Sequence, residues 1–371
     1  MATFATLGVS EALIKGINEC GIIEPTPIQE QAIPFLLQNS SDLIGQAQTG
    51  TGKTAAFGLP ILQKINPKST HIQALILSPT RELGQQIAKQ LFKFTKYTDK
   101  IFVEGVFGGS NLDQQIAQLR RPTHIVVATP GRLIDLLERK AINLEHVRTL
   151  VLDEADEMLS MGFQPDIDKI LTHIHGTSNI WLFSATIPKN LKNIISTYMA
   201  HDALTINIDK ATLINKNIEH QFLECREDDK LDILLLFLKS QGKSRGIIFC
   251  RTKVNAQTLA KQLQAKNYVC DSLHGDLMQT KREKVMRAFK NTKLQILIAT
   301  DMAARGIDVD DLAYVVHYHL PEQIENFTHR SGRTARAGKK GISLCLIENR
   351  DLKRIHEIER TLKVSIKKIR W

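Results

Sequence analysis

Short, mostly apolar runs, each followed by a longer stretch with helical periodicity, constrain this chain more than any other feature. Asp42-Leu43-Ile44, Ala74-Leu75-Ile76-Leu77, His124-Ile125-Val126-Val127, Leu150-Val151-Leu152 and Ile180-Trp181-Leu182-Phe183 read as strands buried on both faces. Between them, stretches such as 82–94 and 131–139 repeat apolar residues at helix spacing. Strand, helix, strand in repetition predicts an α/β fold with a mostly parallel sheet covered by helices on both faces. In such sheets, ligands sit at the carboxyl ends of the strands. Thr51-Gly52-Lys53-Thr54, Asp153-Glu154-Ala155-Asp156 and Ser184-Ala185-Thr186 all fall there.

The pattern weakens after about residue 200 and restarts with Gly246-Ile247-Ile248-Phe249, Gln295-Ile296-Leu297-Ile298-Ala299, Tyr314-Val315-Val316 and Ile342-Ser343-Leu344-Cys345-Leu346. We therefore expect two α/β domains, 1–206 and 217–371, joined by a polar linker over 207–216. The length of 371 residues suits two cores. No Gly-Lys-Thr loop appears in the second half, so one domain binds nucleotide and the other contributes something else. The end, from Arg350 to Trp371, reads as a basic amphipathic helix followed by Lys367-Lys368-Ile369-Arg370. A packed terminal helix and an RNA-contacting one are both open readings of it. The chain stops soon after this second pattern, so it is either minimal or continues as a tail.

Lys+Arg number 49 against 39 Asp+Glu, a formal charge of +10 that favours a polyanionic partner. The five cysteines are widely spread and none is paired at metal-ligand spacing, which predicts reduced, idle thiols. No signal-like N-terminus and no apolar run near the roughly 20 residues of a membrane span are present. These features predict a cytoplasmic chain without a membrane partner.

A glycine-rich loop ending in Gly-Lys-Thr cradles nucleotide phosphates with backbone N–H groups and a helix N-terminus. Gly50 and Gly52 let the backbone approach the anion, Lys53 reaches the β- and γ-phosphates, and Thr54 offers its hydroxyl to Mg²⁺. The loop begins with Ala47 where the general pattern often has Gly. Asp153 is the candidate Mg²⁺ carboxylate, acting through water, and Glu154 the candidate for orienting or deprotonating the attacking water. Acidic N-cap residues after a strand are the competing reading of that pair. His329-Arg330-Ser331-Gly332-Arg333-Thr334-Ala335-Arg336 crowds three arginines and a histidine, which favours an anion; a solvated basic turn is the alternative.

Taken in order, these motifs resemble those of DEAD-box RNA helicases, superfamily 2 enzymes with two tandem RecA-like domains. The resemblance runs from Phe4 through the second domain. Phe4, Gly21 and Pro25-Thr26-Pro27-Ile28-Gln29 look like the adenine-recognising Q motif, with Ile22 where an aromatic is usual. The motif implies ATP, with Phe4, Pro27 and Gln29 at the base. A carboxamide such as that of Gln29 can pair with N6 and N7 of adenine. Residues 47–54 match motif I, which adds Gln48, Thr49 and Thr51 to the nucleotide contacts. Asp153–Asp156 matches motif II and Ser184–Thr186 motif III. The resemblance implies a coupling role for Asp156, Ser184, Thr186 and His329. Asp301, Arg305, Gly306 and Asp308 match motif V, with Asp308 at the ribose. Arg333 and Arg336 match the motif VI arginines at the γ-phosphate.

The resemblance also implies RNA contacts at Pro79, Thr80, Arg81, Gly109, Thr129, Arg132, Gly275 and Thr300. These lie within Pro79–Leu83, Gly108-Gly109, Thr129–Arg132, His274-Gly275-Asp276 with Gln279 and Arg282, and Ala299-Thr300-Asp301. Loop N–H groups, hydroxyls and arginines near strand ends suit a sugar–phosphate backbone. The implied activity is that of a monomeric ATP- and Mg²⁺-dependent RNA helicase that separates short duplexes by closure of its two domains. An ATP-gated RNA clamp, a DNA translocase and a metabolic kinase are the rival readings.

Overall fold

The computed structural model describes residues 2–370 except 48–49, 175–177, 209–216, 305–308, 310–311 and 336–338. The chain divides into two compact units, Met1–Ile208 and Asp209–Trp371. The expected linker lies almost wholly in 209–216, outside the described residues. On its near side, Ile208 still donates its N–H to Gln46 O at 3.1 Å.

Among the described residues the first unit carries β1 (Leu43–Gln46), β2 (Ala74–Leu77), β3 (Val103–Val106), β4 (Ile125–Ala128), β5 (Thr149–Asp153), β6 (Asn179–Ser184) and β7 (Leu204–Asn207). Their order is β3-β4-β2-β5-β6-β1-β7, and each ladder between them is parallel. The second unit carries β8 (Ile218–Glu224), β9 (Gly246–Phe249), β10 (Cys270–Leu273), β11 (Ile296–Ala299), β12 (Tyr314–His317), β13 (Gly341–Ile347) and β14 (Lys367–Lys368). They run β10-β11-β9-β12-β13-β8-β14, again in parallel. Position for position, this is the first unit's order.

Successive side chains of a strand point to opposite faces, so an apolar run feeds two cores. Ile76, Val127, Val151, Trp181 and Phe183 enter one cluster with Phe57, Leu91 and Phe94 from helices Lys53–Lys64 and Arg81–Phe94. Leu75, Leu77, Val126, Leu150, Leu152 and Leu182 enter the other, with Leu133 and Leu136 from helix Pro130–Glu138. Burying a Leu, Ile or Phe side chain contributes about 1.5–3 kcal/mol, so both helical layers are held by the same strands. Asp42 fastens the entry to β1: its carboxylate accepts the N–H groups of Ile180 and Ala200, each at 2.7 Å.

The registers level the strand ends. Gln46 stands beside Ser184 and Phe183 beside Asp153, so the loops after β1, β6 and β5 open together.

The C-terminus holds a helix shorter than the basic amphipathic one expected between Arg350 and Lys367. The helix covers Leu352–Leu362, burying Ile355 and Ile358, and ends at Lys363 in the left-handed region (φ +54°). The chain then returns to the sheet, where Lys367 and Lys368 stand beside Gln221 and Phe222, and Lys368 Nζ lies 2.6 Å from Glu224. The reversal fits a sequence that runs out of helix-period apolar residues after Leu362. Trp371 lies outside the described residues.

Candidate functional site

Gly52 caps helix Lys53–Lys64 at φ +87°, and Gly50 precedes it at φ +84°. Both conformations are open to glycine and costly to other residues. At Gly52 a Cβ would also sit 2.3 Å from Gln29 Nε2. That closeness arises because the Q-motif residues hold the loop by its carbonyls. Thr26 Oγ1 donates to Thr51 O at 2.8 Å, and Gln29 Nε2 donates to Gly52 O at 2.9 Å. Gln29 Oε1 accepts from Thr26 N–H at 2.9 Å. The buried carboxamide keeps one N–H and one lone pair beyond these bonds.

Pro27 opens helix Pro27–Gln38 and is exposed, while Phe4 is buried in the first core as a packing group. Lys53 is buried with Nζ 3.1 Å from Ala47 O, and Thr54 follows it, half-buried. Gln48 and Thr49 lie outside the described residues.

Asp153 ends β5, fully in the interior, and accepts the N–H of Glu154 on Oδ1 at 3.0 Å. Burial pushes its carboxyl up to about 6, with the charges of Glu154 and Asp156 adding to the rise and that of Lys53 opposing it. Glu154 is also buried and sits at φ +50°, a left-handed conformation that costs a non-glycine residue about 1 kcal/mol.

A carboxyl whose folded value exceeds its unfolded one favours the fold below the unfolded value of 3.8, and that advantage is lost as pH rises through about 6. We therefore expect Asp153→Asn to raise the ligand-free melting temperature of the first unit at pH 8, with the gain shrinking towards pH 4. A gain independent of pH in thermal unfolding would show that ionisation is not its source.

Asp156 turns away from this chemistry. Its Oδ2 accepts both Thr186 N–H at 2.9 Å and Thr186 Oγ1–H at 2.8 Å, and its N–H donates to Ser184 Oγ at 3.3 Å. Ser184 Oγ in turn donates to Thr186 O at 2.6 Å. Motifs II and III are thus one hydrogen-bonded block across β5 and β6.

A phosphate loop with two left-handed glycines, a helix N-terminus, a buried lysine and a buried carboxylate together fit a nucleoside triphosphate with its cation. Among the described residues no group of three or more His, Cys, Asp or Glu side chains could hold a metal ion, so phosphate and water must complete any shell on Asp153.

The first unit's expected RNA residues also converge. Arg81 Nη1 donates to Ser110 Oγ at 2.6 Å, and Arg132 reaches Ser110 O at 3.2 Å and Gln115 Oε1 at 2.6 Å. Gly108 N–H donates to Thr129 Oγ1 at 3.3 Å, Gly109 turns the chain at φ +75°, and Thr80 caps helix Arg81–Phe94 through Leu83 N–H. Pro79 is buried beside Thr80. Ser110 and Gln115 organise this surface, although the sequence reading passed over them. A serine directly behind Gly108-Gly109 was the available signal.

In the second unit Gly275 is exposed after β10, and Thr300 N–H donates to Leu273 O at 3.3 Å. Arg282 Nη2 bonds Ala303 O at 2.8 Å, tying helix Gln279–Lys290 to the turn after β11.

The arginine cluster is divided rather than shared. Arg330, on helix Ile324–Ser331, is buried and forms a two-pronged pair with Asp301, one arm at 2.7 Å, while Nη1 donates to His319 O at 2.8 Å. Behind it, His317 Nε2 lies 3.1 Å from Ser343 Oγ, and Ser331 Oγ lies 2.9 Å from the same hydroxyl. Burial, and then the Arg330 charge, hold the His317 imidazole well below its usual range, so it stays neutral. Arg330 is therefore an internal anchor and not a third anion ligand as its spacing suggested. Arg333 is buried with Nε 3.2 Å from His329 O. Arg305, Gly306, Asp308 and Arg336 lie outside the described residues.

Removing one member of a buried pair strands the other charge. Arg330→Met is expected to destabilise the second unit by about 3 kcal/mol, at the low end because Asp301 is partly exposed. Arg350→Met, which removes a largely exposed guanidinium from its pair with the partly exposed Glu348, should stay within about 0.5 kcal/mol. Equal effects in denaturant unfolding would refute the distinction. The cysteines are free; those at 250, 270 and 345 are buried, with thiols pushed up to about 12. No helix among the described residues is long and apolar enough to cross a membrane.

Residues 26–194 match the DEAD/DEAH box helicase family and residues 229–338 the helicase conserved C-terminal domain. The DEAD-box ATP-dependent RNA helicase CshA of Geobacillus kaustophilus is 43% identical over 370 residues, covering 100% of this chain and 79% of the relative. The chain belongs to the DEAD-box helicase family. The ATP-dependent RNA helicase CshA of Listeria monocytogenes is 44% identical over 363 residues, covering 98% of this chain and 69% of its own. Among solved structures, S. cerevisiae Dbp5 bound to RNA and ADP BeF3 matches with a TM-score of 0.91 at 29% identity, over 100% of this chain and 96% of that one. The DEAD-box motif is here divided: Asp153 feels the charge of the phosphate loop's Lys53, and Asp156 is committed to Thr186.

Proposed function

We propose that the chain is an RNA-stimulated ATP hydrolase that binds RNA through its backbone and locally unwinds short duplexes. The observation that carries this is the block at the ends of β1, β5 and β6, where the phosphate loop, Asp153-Glu154 and the Asp156–Thr186 link meet. Lys53 binds the β- and γ-phosphates, the loop N–H groups position them, and Glu154 orients the attacking water and takes its proton. Mg²⁺, when bound near Asp153 and Thr54, neutralises charge on the phosphate oxygens. Arg333 of the second unit stabilises the charge that spreads over the γ-phosphate, and Arg336 and Asp308 complete the nucleotide contacts.

Arg81, Gly109, Thr129, Arg132, Gly275 and Thr300 meet the sugar–phosphate backbone, which makes binding independent of sequence and steeply salt-dependent. ATP and RNA each favour closure of the two units, across a linker at 207–216. By linkage, each ligand then tightens the other equally. The protein acts as a monomer in the cytoplasm.

The test is steady-state ATP hydrolysis alone, with single-stranded RNA, and with DNA of the same sequence. Strong stimulation by RNA only is expected. Equal stimulation by DNA would overturn the substrate assignment, and stimulation without strand separation in a duplex assay would leave an ATP-gated clamp.

A further inference from the structure

Among the described residues, the large aromatic side chains exposed to solvent are Phe92 (70%), Tyr97 (46%) and Phe102 (44%). All three fall within one eleven-residue segment of a chain whose aromatic content is 6%. Lys93, Lys96 and Lys100 stand exposed between them. The segment is continuous in the fold: the end of helix Arg81–Phe94, the turn Thr95–Tyr97, and the approach to edge strand β3.

Two of the rings are held in place. Tyr97 donates its hydroxyl to Glu19, which also takes Lys96 Nζ at 2.6 Å, and Lys96 lies over the Tyr97 ring at 5.2 Å. Phe102 stacks on His124 with centroids 5.5 Å apart. Phe92, by contrast, projects from the helix into solvent. Such rings, if they served the fold alone, would be buried like Phe94, two residues on, which is 1% exposed.

We propose that this segment is a second, accessory contact for single-stranded RNA, resting on the reading of the chain as an RNA helicase. Interleaved aromatics and lysines supply stacking for bases and charge for the backbone, a combination that binds single strands without sequence preference. Glu19 is already taken up by Lys96, so Asp99 is the remaining acid of the segment against Lys93 and Lys100. The charge balance therefore fits a polyanion. The contact is separate from the site at the strand ends. Arg81 and Phe92 lie at opposite ends of one helix, about 16 Å apart along its axis. A strand must be long enough to touch both.

The experiment compares equilibrium binding of single-stranded RNAs of about 6 and about 24 nucleotides, one near the lower end of typical site sizes and one beyond their upper end. Phe92→Ala with Tyr97→Leu is expected to weaken the longer RNA about tenfold and leave the shorter one unchanged. The rate of ATP hydrolysis at saturating short RNA should also be unchanged. Tyr97→Phe keeps the ring, loses the Glu19 bond, and should bind as the parent does. Unchanged affinity of the double variant for the longer RNA would overturn the proposal and leave the patch to a protein partner. Equal losses for both lengths would also overturn it, by showing one continuous site. Failure of the parent to bind either RNA would overturn the helicase reading itself, and this inference with it.

Discussion

Glu154→Gln is expected to reduce RNA-stimulated ATP hydrolysis by about 10²–10⁴ while ATP and RNA still bind. The substitution keeps size, burial and the left-handed backbone at φ +50°, so the turn that presents Asp153 is preserved. Only the charge we propose to orient water and accept its proton is lost. Binding of a fluorescent ATP analogue and of labelled RNA should stay within a few-fold of the parent, and the two ligands together should dissociate slowly. Turnover within tenfold of the parent would assign the base elsewhere.

Arg333→Ala tests the role proposed for the second unit. A cation stabilising the transferring phosphoryl group contributes about 10³–10⁵ in rate in related chemistry. We therefore expect a loss of about 10³ in RNA-stimulated turnover, with each ligand binding separately as before. Arg333→Lys should recover little, because a point charge cannot reproduce the planar fork. The control is thermal unfolding, since Arg333 is buried and holds His329 O. Normal turnover in a folded Arg333→Ala variant would show that the second unit does not complete the active site.

The central strands of both sheets were legible because strands buried on two faces must be apolar throughout. β2, β4, β5, β6, β9, β11, β12 and β13 fall on the runs the sequence displays. The edge strands were not. Val103–Val106 is only half-buried, and Lys367–Lys368 is a pair of exposed lysines whose strand character comes from β8 alone. Ile218–Glu224, although it lies inside the sheet between β13 and β14, was equally hard to read, because its apolar residues are set among His220, Gln221 and two glutamates.

At the candidate site, residue type and spacing pointed to Lys53, Asp153 and Glu154, and the family resemblance to the Asp156–Thr186 link. What spacing could not show is how side chains are shared out. Arg330 and Arg333 are three residues apart with the same chemistry, yet one is committed to Asp301 through a contact 29 residues distant. Nor could it show that Gln29 grips Gly52 O, since that bond spans 23 residues and depends on the loop being folded.

The shared strand order makes the second unit a structural copy of the first, and the copy has kept a lysine without its cradle. β8 occupies the place of β1, and the helix that follows opens on Lys230 as the first unit's opens on Lys53. Both lysines are buried. Between β8 and Lys230 there are no glycines; instead the turn reads Glu227-Asp228-Asp229, and Glu227 lies 2.7 Å from Lys230 Nζ. A carboxylate built into the chain thus occupies the lysine that a phosphate would otherwise need, and two further acids repel any anion approaching the turn. The duplicated architecture is chemically asymmetric, and a titration of ATP is expected to saturate at one nucleotide per chain.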